Sequence, residues 1–282
     1  MRVLRPAPEL YAFYAGRDGE LHDPARRNWV DESALKLGIA SYAIVAGDHA
    51  LVYDTHVSVA HAHAVRAVLE AAGATRFTVV LSHWHLDHVA GTAAFADADA
   101  IIAHERTAEI LARDRAAIEA GTLEGPPGID PLVLPTDTFA DRMELTVGDH
   151  ALELRHVDVH SDDAAILWWP ERRLLLAGDT LEDTITYVDM PDHFPQHLEG
   201  LHAIRALRPD RILPNHGDPD VIAAGGYAGT GLVDATTDYI NLLRRRDPAP
   251  LRELLAPHLA AGDITYHAAY EAVHVHNLGL DF

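Results

Sequence analysis

The sequence predicts an α/β fold in which two mixed β-sheets pack face to face with helices on the outside. Three observations carry this: short β-branched runs outnumber helical segments, helices recur in both halves, and no repeat or Gly/Pro-rich linker divides the 282 residues. Alternating apolar residues predict strands at Leu10–Tyr14, Ser41–Val45, Leu51–Asp54 and Thr78–Leu81, then at Ala100–Ala103, Glu144–Val147 and Ala151–Arg155. Further strands are expected at Ala164–Trp169, Arg173–Ala177 and Arg211–Leu213. Helical spacing covers Ala60–Ala72, Glu105–Ala120, Gln196–Leu207, Val233–Arg245 and Leu251–Ala260. The chain reads as one domain over 1–282, with 231–282 a C-terminal helical extension that either covers the site or forms a homodimer interface.

Composition narrows the chemistry. A hydrophobic fraction of 48% with 23% charged residues is that of a soluble globular protein, and no apolar run approaches the roughly 20 residues of a membrane helix. The first residues lack the apolar core and cleavage site of a signal peptide, so a cytoplasmic protein that makes no use of the membrane is expected. With no cysteine, there are no disulfides, thiolate metal ligands or cysteine nucleophiles. The 43 acidic residues against 22 basic ones give a formal charge of −21, which repels phosphate backbones and argues against nucleic acid as a partner. A small-molecule substrate remains compatible, since bound cations make a pocket locally positive.

The chemistry concentrates where an apolar run stops: Val79-Val80-Leu81-Ser82-His83-Trp84-His85-Leu86-Asp87-His88. His83 and His85 can project together from the strand end, while Asp87 and His88 lie one turn further on and address an adjacent position. Imidazole and carboxylate suit borderline metals such as zinc. Downstream come His156-Val157-Asp158-Val159-His160-Ser161-Asp162, then Leu176-Ala177-Gly178-Asp179-Thr180, then Leu213-Pro214-Asn215-His216-Gly217.

Four motifs in this order, from about Ser41 to Gly217, resemble the metallo-β-lactamase superfamily, whose fold is an αββα sandwich. The resemblance implies a first metal on His83, His85 and His160, and a second on Asp87, His88 and His216, with Asp179 bridging both. It also implies a dinuclear hydrolase in which a metal-bridging hydroxide, oriented by Asp87, cleaves an ester, lactone, thioester or phosphodiester in a small molecule. Two divalent cations are the expected cofactors, zinc first, with iron and manganese as alternatives. Asp179 sets the chain apart from the antibiotic-cleaving members, which usually replace this carboxylate. It resembles instead the branch of thioester hydrolases, lactonases and phosphodiesterases.

Two departures mark the pattern. Val159 stands where the family often has glycine, which raises His156 as a substitute ligand. No lactonase-type tyrosine closely follows Asp179; Glu182 stands three residues on and Tyr187 further away. The alternative reading is an iron-dependent oxidoreductase of the same superfamily, similar to the sulfur dioxygenases, against which the complete second-metal set argues. Paired-iron relatives carry a flavin domain, for which the sequence leaves no room after Phe282.

The remaining candidates have plainer readings. Asp54 either supports the metal loop or forms a strand-end turn. His104 is a helix N-terminal residue, and His61 and His63 face different sides of a helix. His274 and His276 are structural or surface residues that would share a face if extended. Trp84, Trp168 and Trp169 are core residues. Specificity is expected on the loops Glu105–Pro131 and Leu181–Pro195 and beyond Gly225.

Overall fold

A computed structural model describes residues 1–188, 190–247 and 249–279. Two mixed sheets pack face to face between layers of helix, as the strand and helix pattern predicts. The first sheet holds β1 (Arg2–Ala7), β2 (Leu10–Ala15), β3 (Ile39–Ala46), β4 (His49–Tyr53), β5 (Arg76–Val80), β6 (Ala100–His104) and β7 (Asp137–Phe139) in sequence order. The second runs β13-β12-β11-β10-β9-β8, formed by β8 (Arg142–Val147), β9 (His150–His156), β10 (Ala165–Trp169), β11 (Leu174–Gly178), β12 (Arg211–Pro214) and β13 (Tyr227–Ala228).

The period-2 alternation of strands divides each strand between two cores. Tyr42 and Ile44 of β3 enter the layer between the sheets, together with Val80, Leu154, Leu167, Trp169 and Leu213. Ile39 and Ala43, from the other face of the same strand, join Val79 and Phe77 beneath the helices of the first half. Ile166 and Trp168 of β10 pack outward onto the helices of the second half. Burial on both faces explains why these strands read as nearly unbroken apolar runs.

A π-helical turn at Val30–Ala34 leads into α1 (Leu35–Leu37). The first half then contributes α2 (Val59–Ala71), α3 (Leu86–Val89) and α4 (Glu105–Glu119). The second half contributes α5 (Phe194–Ala206), α6 (Pro219–Ala223), α7 (Gly231–Arg244), α8 (Leu251–Leu254), α9 (Ala256–Ala261) and α10 (Tyr270–Gly279). Among the described residues no helix is long and apolar enough to cross a membrane.

The structure departs from the sequence expectation in small elements. Strands β1, β7 and β13 were not expected: β1 carries Pro6 and two arginines, and the other two are three and two residues long. The single helix expected over Leu251–Ala260 is two, parted at Leu255 ahead of Pro257, because a proline is tolerated only in a first helical turn. The tail bearing His274 and His276 is helical, so the two rings do not share a face as an extended strand would have them.

The topology gathers chain ends at one rim. β4, β5 and β6 run parallel, with Tyr53 opposite Val80, so the residues following β4 and β5 emerge side by side. β11 and β12 are also parallel, with Gly178 opposite Pro214. The connection from β9 to β10 returns from His156 to Ala165. Asp54, the His83–His88 segment, His160, Asp179 and His216 all follow from this placement. Gly178 turns the chain out of β11 at φ +58°, where an added Cβ would stand 3.0 Å from both the Ser82 Cβ and the Tyr53 hydroxyl.

Candidate metal centre

The seven histidines and aspartates expected as ligands meet at this rim in two groups. His83, His85, His160 and Asp179 form one, and Asp87, His88 and His216 the other. Within each group one donor atom per residue lies within 4.8 Å of the rest. In the first, His85 Nδ1 and His160 Nε2 are 3.0 Å apart, and Asp179 Oδ2 stands 3.8 Å from His83 Nε2 and 4.0 Å from His160 Nε2. In the second, His88 Nε2 is 3.5 Å and His216 Nε2 3.2 Å from the Asp87 carboxylate. The same Asp179 Oδ2 lies 3.1 Å from His88 Nε2 and 3.2 Å from His216 Nε2, so one oxygen reaches both groups.

Four of the imidazoles are held from behind, so that Nε2 faces the centre. His88 Nδ1 lies 3.0 Å from the Asp54 carboxylate, His160 Nδ1 2.9 Å from the Tyr187 carbonyl, and His216 Nδ1 2.7 Å from the Gly38 carbonyl. His83 Nδ1 is 2.9 Å from Ser82 Oγ, which itself donates to Asp54 at 2.7 Å. A ring whose Nδ1–H is committed to an acceptor is oriented to bind a metal through Nε2. Without the metal, burial opposes protonation of His88 and His216, but Asp179 and Asp87 outweigh it and hold both well above the usual imidazole range. A cation entering there displaces their protons.

Asp54 resolves in favour of support. Its buried carboxylate accepts from the Ser82 N–H at 2.7 Å, from Ser82 Oγ, from His88 Nδ1 and from the Asn215 amide. It thereby ties the end of β4 to the ends of β5 and β12. Asp163 does similar work for the loop beyond β9, accepting from Trp84 N–H at 2.9 Å, Thr107 Oγ1 at 2.8 Å and Ser161 Oγ at 2.7 Å. Asp54 and His160 both hold left-handed backbones, at φ +65° and +74°, a conformation costing roughly 1–3 kcal/mol at a non-glycine residue. The surrounding bonds fix it.

Electrostatics agree with a cation-binding role. Burial opposes ionisation of Asp87, but His88 and His216 beside it outweigh burial and bring its carboxyl to about 2. Asp179 is likewise held well below the usual range against burial, by His216 and His88. Burial, with neighbouring imidazoles, pushes His83 well down, leaving it neutral. Two buried atoms, His83 Nε2 and Asp179 Oδ1, have no hydrogen-bond partner. Buried polar atoms without partners are costly. Converging imidazole nitrogens with two ionised carboxylates are the donor set of zinc and similar divalent ions, so these residues fit such a group.

A cavity of about 380 Å³ opens over the centre. Besides the ligand candidates, its walls carry Ser33, Leu37, Trp84, Glu124, Glu182 and Tyr187. Trp84 is therefore not only the core residue its composition suggested, whereas Trp168 and Trp169 are buried in the two cores of the second sheet. Tyr187 does reach the site: its ring stands 5.9 Å from that of His160 and stacks on His276 at 4.7 Å. Glu182 is buried. Burial and the nearby Asp179 push its carboxyl up to about 8, and it accepts from Tyr187 N–H at 2.7 Å and Tyr270 hydroxyl at 3.1 Å. Ser33 and Leu37 come from the segment before β3, where sequence reading found no signal.

Other histidines lie elsewhere. His156 bonds the Asp162 carbonyl at 2.9 Å and stacks on His104 at 4.0 Å, away from the cluster. His104 caps α4, accepting from Arg106 N–H at 3.3 Å. His61 stacks on His56 while His63 is exposed, and His274 bonds the Tyr239 hydroxyl at 3.0 Å.

Comparison with known proteins agrees with this geometry. Residues 36–216 match the sequence model of the metallo-beta-lactamase superfamily. A linear primary-alkylsulfatase from Pseudomonas sp. (strain ATCC 19151) is 24% identical over 64% of this chain and 43% of its own. A beta-lactamase-like protein 2 homolog from Caenorhabditis elegans is 27% identical over 64% of this chain and 56% of its own. The chain thus spans about half the length of these curated relatives. Among solved structures, a metallo-beta-lactamase from Pontibacter korlensis superposes with a TM-score of 0.62 at 15% identity, over 85% of this chain and 98% of that one. VMB-1 superposes at 0.61 and 14% identity, over 93% and 97%. With the family match spanning more than half its length, and the fold in agreement, the chain belongs to the metallo-beta-lactamase superfamily.

Proposed function

We propose that the protein is a dinuclear metal-dependent hydrolase of a small molecule. His83, His85 and His160 would hold one divalent ion, Asp87, His88 and His216 the other, and Asp179 would lie between them. The observation that carries this reading is the convergence of both donor groups on one Asp179 oxygen, with four histidines fixed from behind. Bound divalent ions, zinc first among them, supply a nucleophile at neutral pH and a Lewis acid for the oxygen that gains charge. The chain's residues do the rest. Asp87, facing the cavity, would orient the attacking water, and Trp84 and Tyr187 form part of the cavity wall.

Carboxylic ester, lactone, thioester and phosphodiester are the candidate bonds. The alkylsulfatase relative adds a sulfate ester. We also read residues 1–282 as one domain with 231–282 as its helical extension, a reading supported by Tyr239, Leu251 and Tyr270 sharing a core with Ile166 and Leu175. A cytoplasmic location and a homodimer complete the proposal.

The test is to strip metal with a chelator, reload with zinc, and screen one chromogenic substrate of each class. Turnover that returns with zinc and falls at least about 100-fold in Asp179→Ala supports the reading. Turnover persisting at full metal loss, or no turnover of any class by fully loaded protein, overturns it.

A further inference from the structure

Residues 185–188 reach the metal cavity at Tyr187 yet belong to no strand or helix. Thr186 and Val188 are nevertheless buried, and buried backbone N–H and C=O groups need partners. Side chains supply them. Asn277 on α10, itself fully buried, donates from Nδ2 to the Thr186 carbonyl at 3.0 Å and accepts at Oδ1 from the Val188 N–H at 3.2 Å. Between these two residues Tyr187 turns the other way: its N–H donates to Glu182 at 2.7 Å, and its carbonyl lies 2.9 Å from His160 Nδ1. This is the alternation of an antiparallel ladder, with side chains in place of the neighbouring strands.

The buried face of α10 is more polar than packing alone requires. Tyr270, Val273, His274 and Asn277 recur at helical spacing and form that face. Three of the four carry polar groups, which cost stability when buried unless they are bonded. The Tyr270 hydroxyl donates to Glu182 at 3.1 Å, and the Asn277 amide also reaches the Tyr239 hydroxyl of α7 at 3.0 Å. Leucine at position 277 would fill the same face without a polar group to satisfy.

We infer that Asn277 is a positioning residue for the first metal position. By fixing residues 186–188 it holds the Tyr187 carbonyl against His160 and so keeps His160 Nε2 beside His85, 3.0 Å from its Nδ1. The inference rests on the proposed ligand set, and it makes the two metal positions unequal. His88 and His216 are braced by Asp54 and the Gly38 carbonyl, in the first half of the chain. Loosening Asn277 should therefore weaken the first position and spare the second.

The experiment measures zinc competition with a chromogenic chelator in two backgrounds of the full chain. His216→Ala leaves the first position and His83→Ala the second. Asn277→Leu is close to asparagine in volume but forms no side-chain hydrogen bond. It is expected to weaken zinc about 10–100-fold in the first background and less than about twofold in the second. Leu243→Ala, which removes apolar packing from the same core and leaves these bonds intact, should affect both backgrounds alike. Wild-type protein gives a second measurement that needs no variant. Coupling between two sites is reciprocal, so saturating zinc should slow exchange of the Val188 N–H through local opening by a similar factor of about 10–100.

A loss confined to the first position, with slower Val188 exchange in zinc, supports the positioning role. Equal losses in both backgrounds, no loss in either, or Val188 exchange indifferent to bound zinc each overturns it and leaves the ligand set in place. No zinc uptake by wild-type protein overturns the ligand set itself, and the inference with it.

Discussion

Replacing Asp54 should separate the support of the metal loop from the ligands themselves. Its carboxylate is fully buried and accepts from the Ser82 N–H, the Ser82 hydroxyl, His88 Nδ1 and the Asn215 amide. Asp54→Ala leaves these donors without an acceptor in a space too dry to replace it. One unsatisfied buried donor costs about 1–3 kcal/mol. Because the four share one acceptor and relax together, the sum overstates the loss; about 3–5 kcal/mol is expected, the usual range for removing one partner of a buried ionic network. Asp54→Asn keeps one acceptor oxygen and the volume, and should cost about half as much. Yet it removes the negative charge behind His88, and loss of such an outer partner weakens metal affinity about 10–100-fold. Urea unfolding of the metal-free variants gives the first quantity, and zinc competition with a chromogenic chelator the second. Asp54→Asn with unaltered affinity at both metal positions would refute the argument that Asp54 sets the orientation of His88.

Other expectations follow from the same contacts. Asp163→Ala, which strips an acceptor from Trp84 N–H, Thr107 and Ser161, should lower stability by about 2–4 kcal/mol in thermal unfolding and reduce turnover by loosening the motif loop. Asn277 bonds the Val188 N–H at 3.2 Å and the Thr186 carbonyl at 3.0 Å, so Asn277→Ala should cost about 1–3 kcal/mol and speed hydrogen exchange in residues 181–188. Burial, with His156 stacked beside it, pushes His104 down to about 4. Between pH 6.5 and 4 the unfolded chain therefore binds a proton that the folded one does not, and stability falls on acidification through that window. His104→Asn keeps a capping side chain and should make this loss shallower in unfolding measured across that range.

The site was more legible in the sequence than its surroundings, for physical reasons. Ligand histidines must follow strand ends, and apolar runs that stop abruptly at His83, Asp179 and His216 announce such ends. Asp54 was ambiguous because its local sequence is that of any strand-end turn; only the parallel pairing of β4 and β5 brings it to Ser82 and His88. Glu182 and Tyr187 were visible as residues near Asp179, but their place in the wall depends on α10, where Tyr270 and His276 hold them. Ser33 and Leu37 carried no signal at all, since a wall residue needs only to be near, not of a particular chemistry, and Glu124 was covered only as part of the expected specificity loop Glu105–Pro131. Edge strands as short as β7 and β13 lack the length to show a period.

Metal content per chain, measured by elemental mass spectrometry on protein purified without a metal-affinity tag, tests the central claim most directly. About two divalent ions per chain, falling in Asp179→Ala, is the expected result for two donor groups sharing one carboxylate. A single iron per chain would place the oxidoreductase reading first. No bound metal, even after reconstitution, would contradict the assignment of these seven residues as ligands.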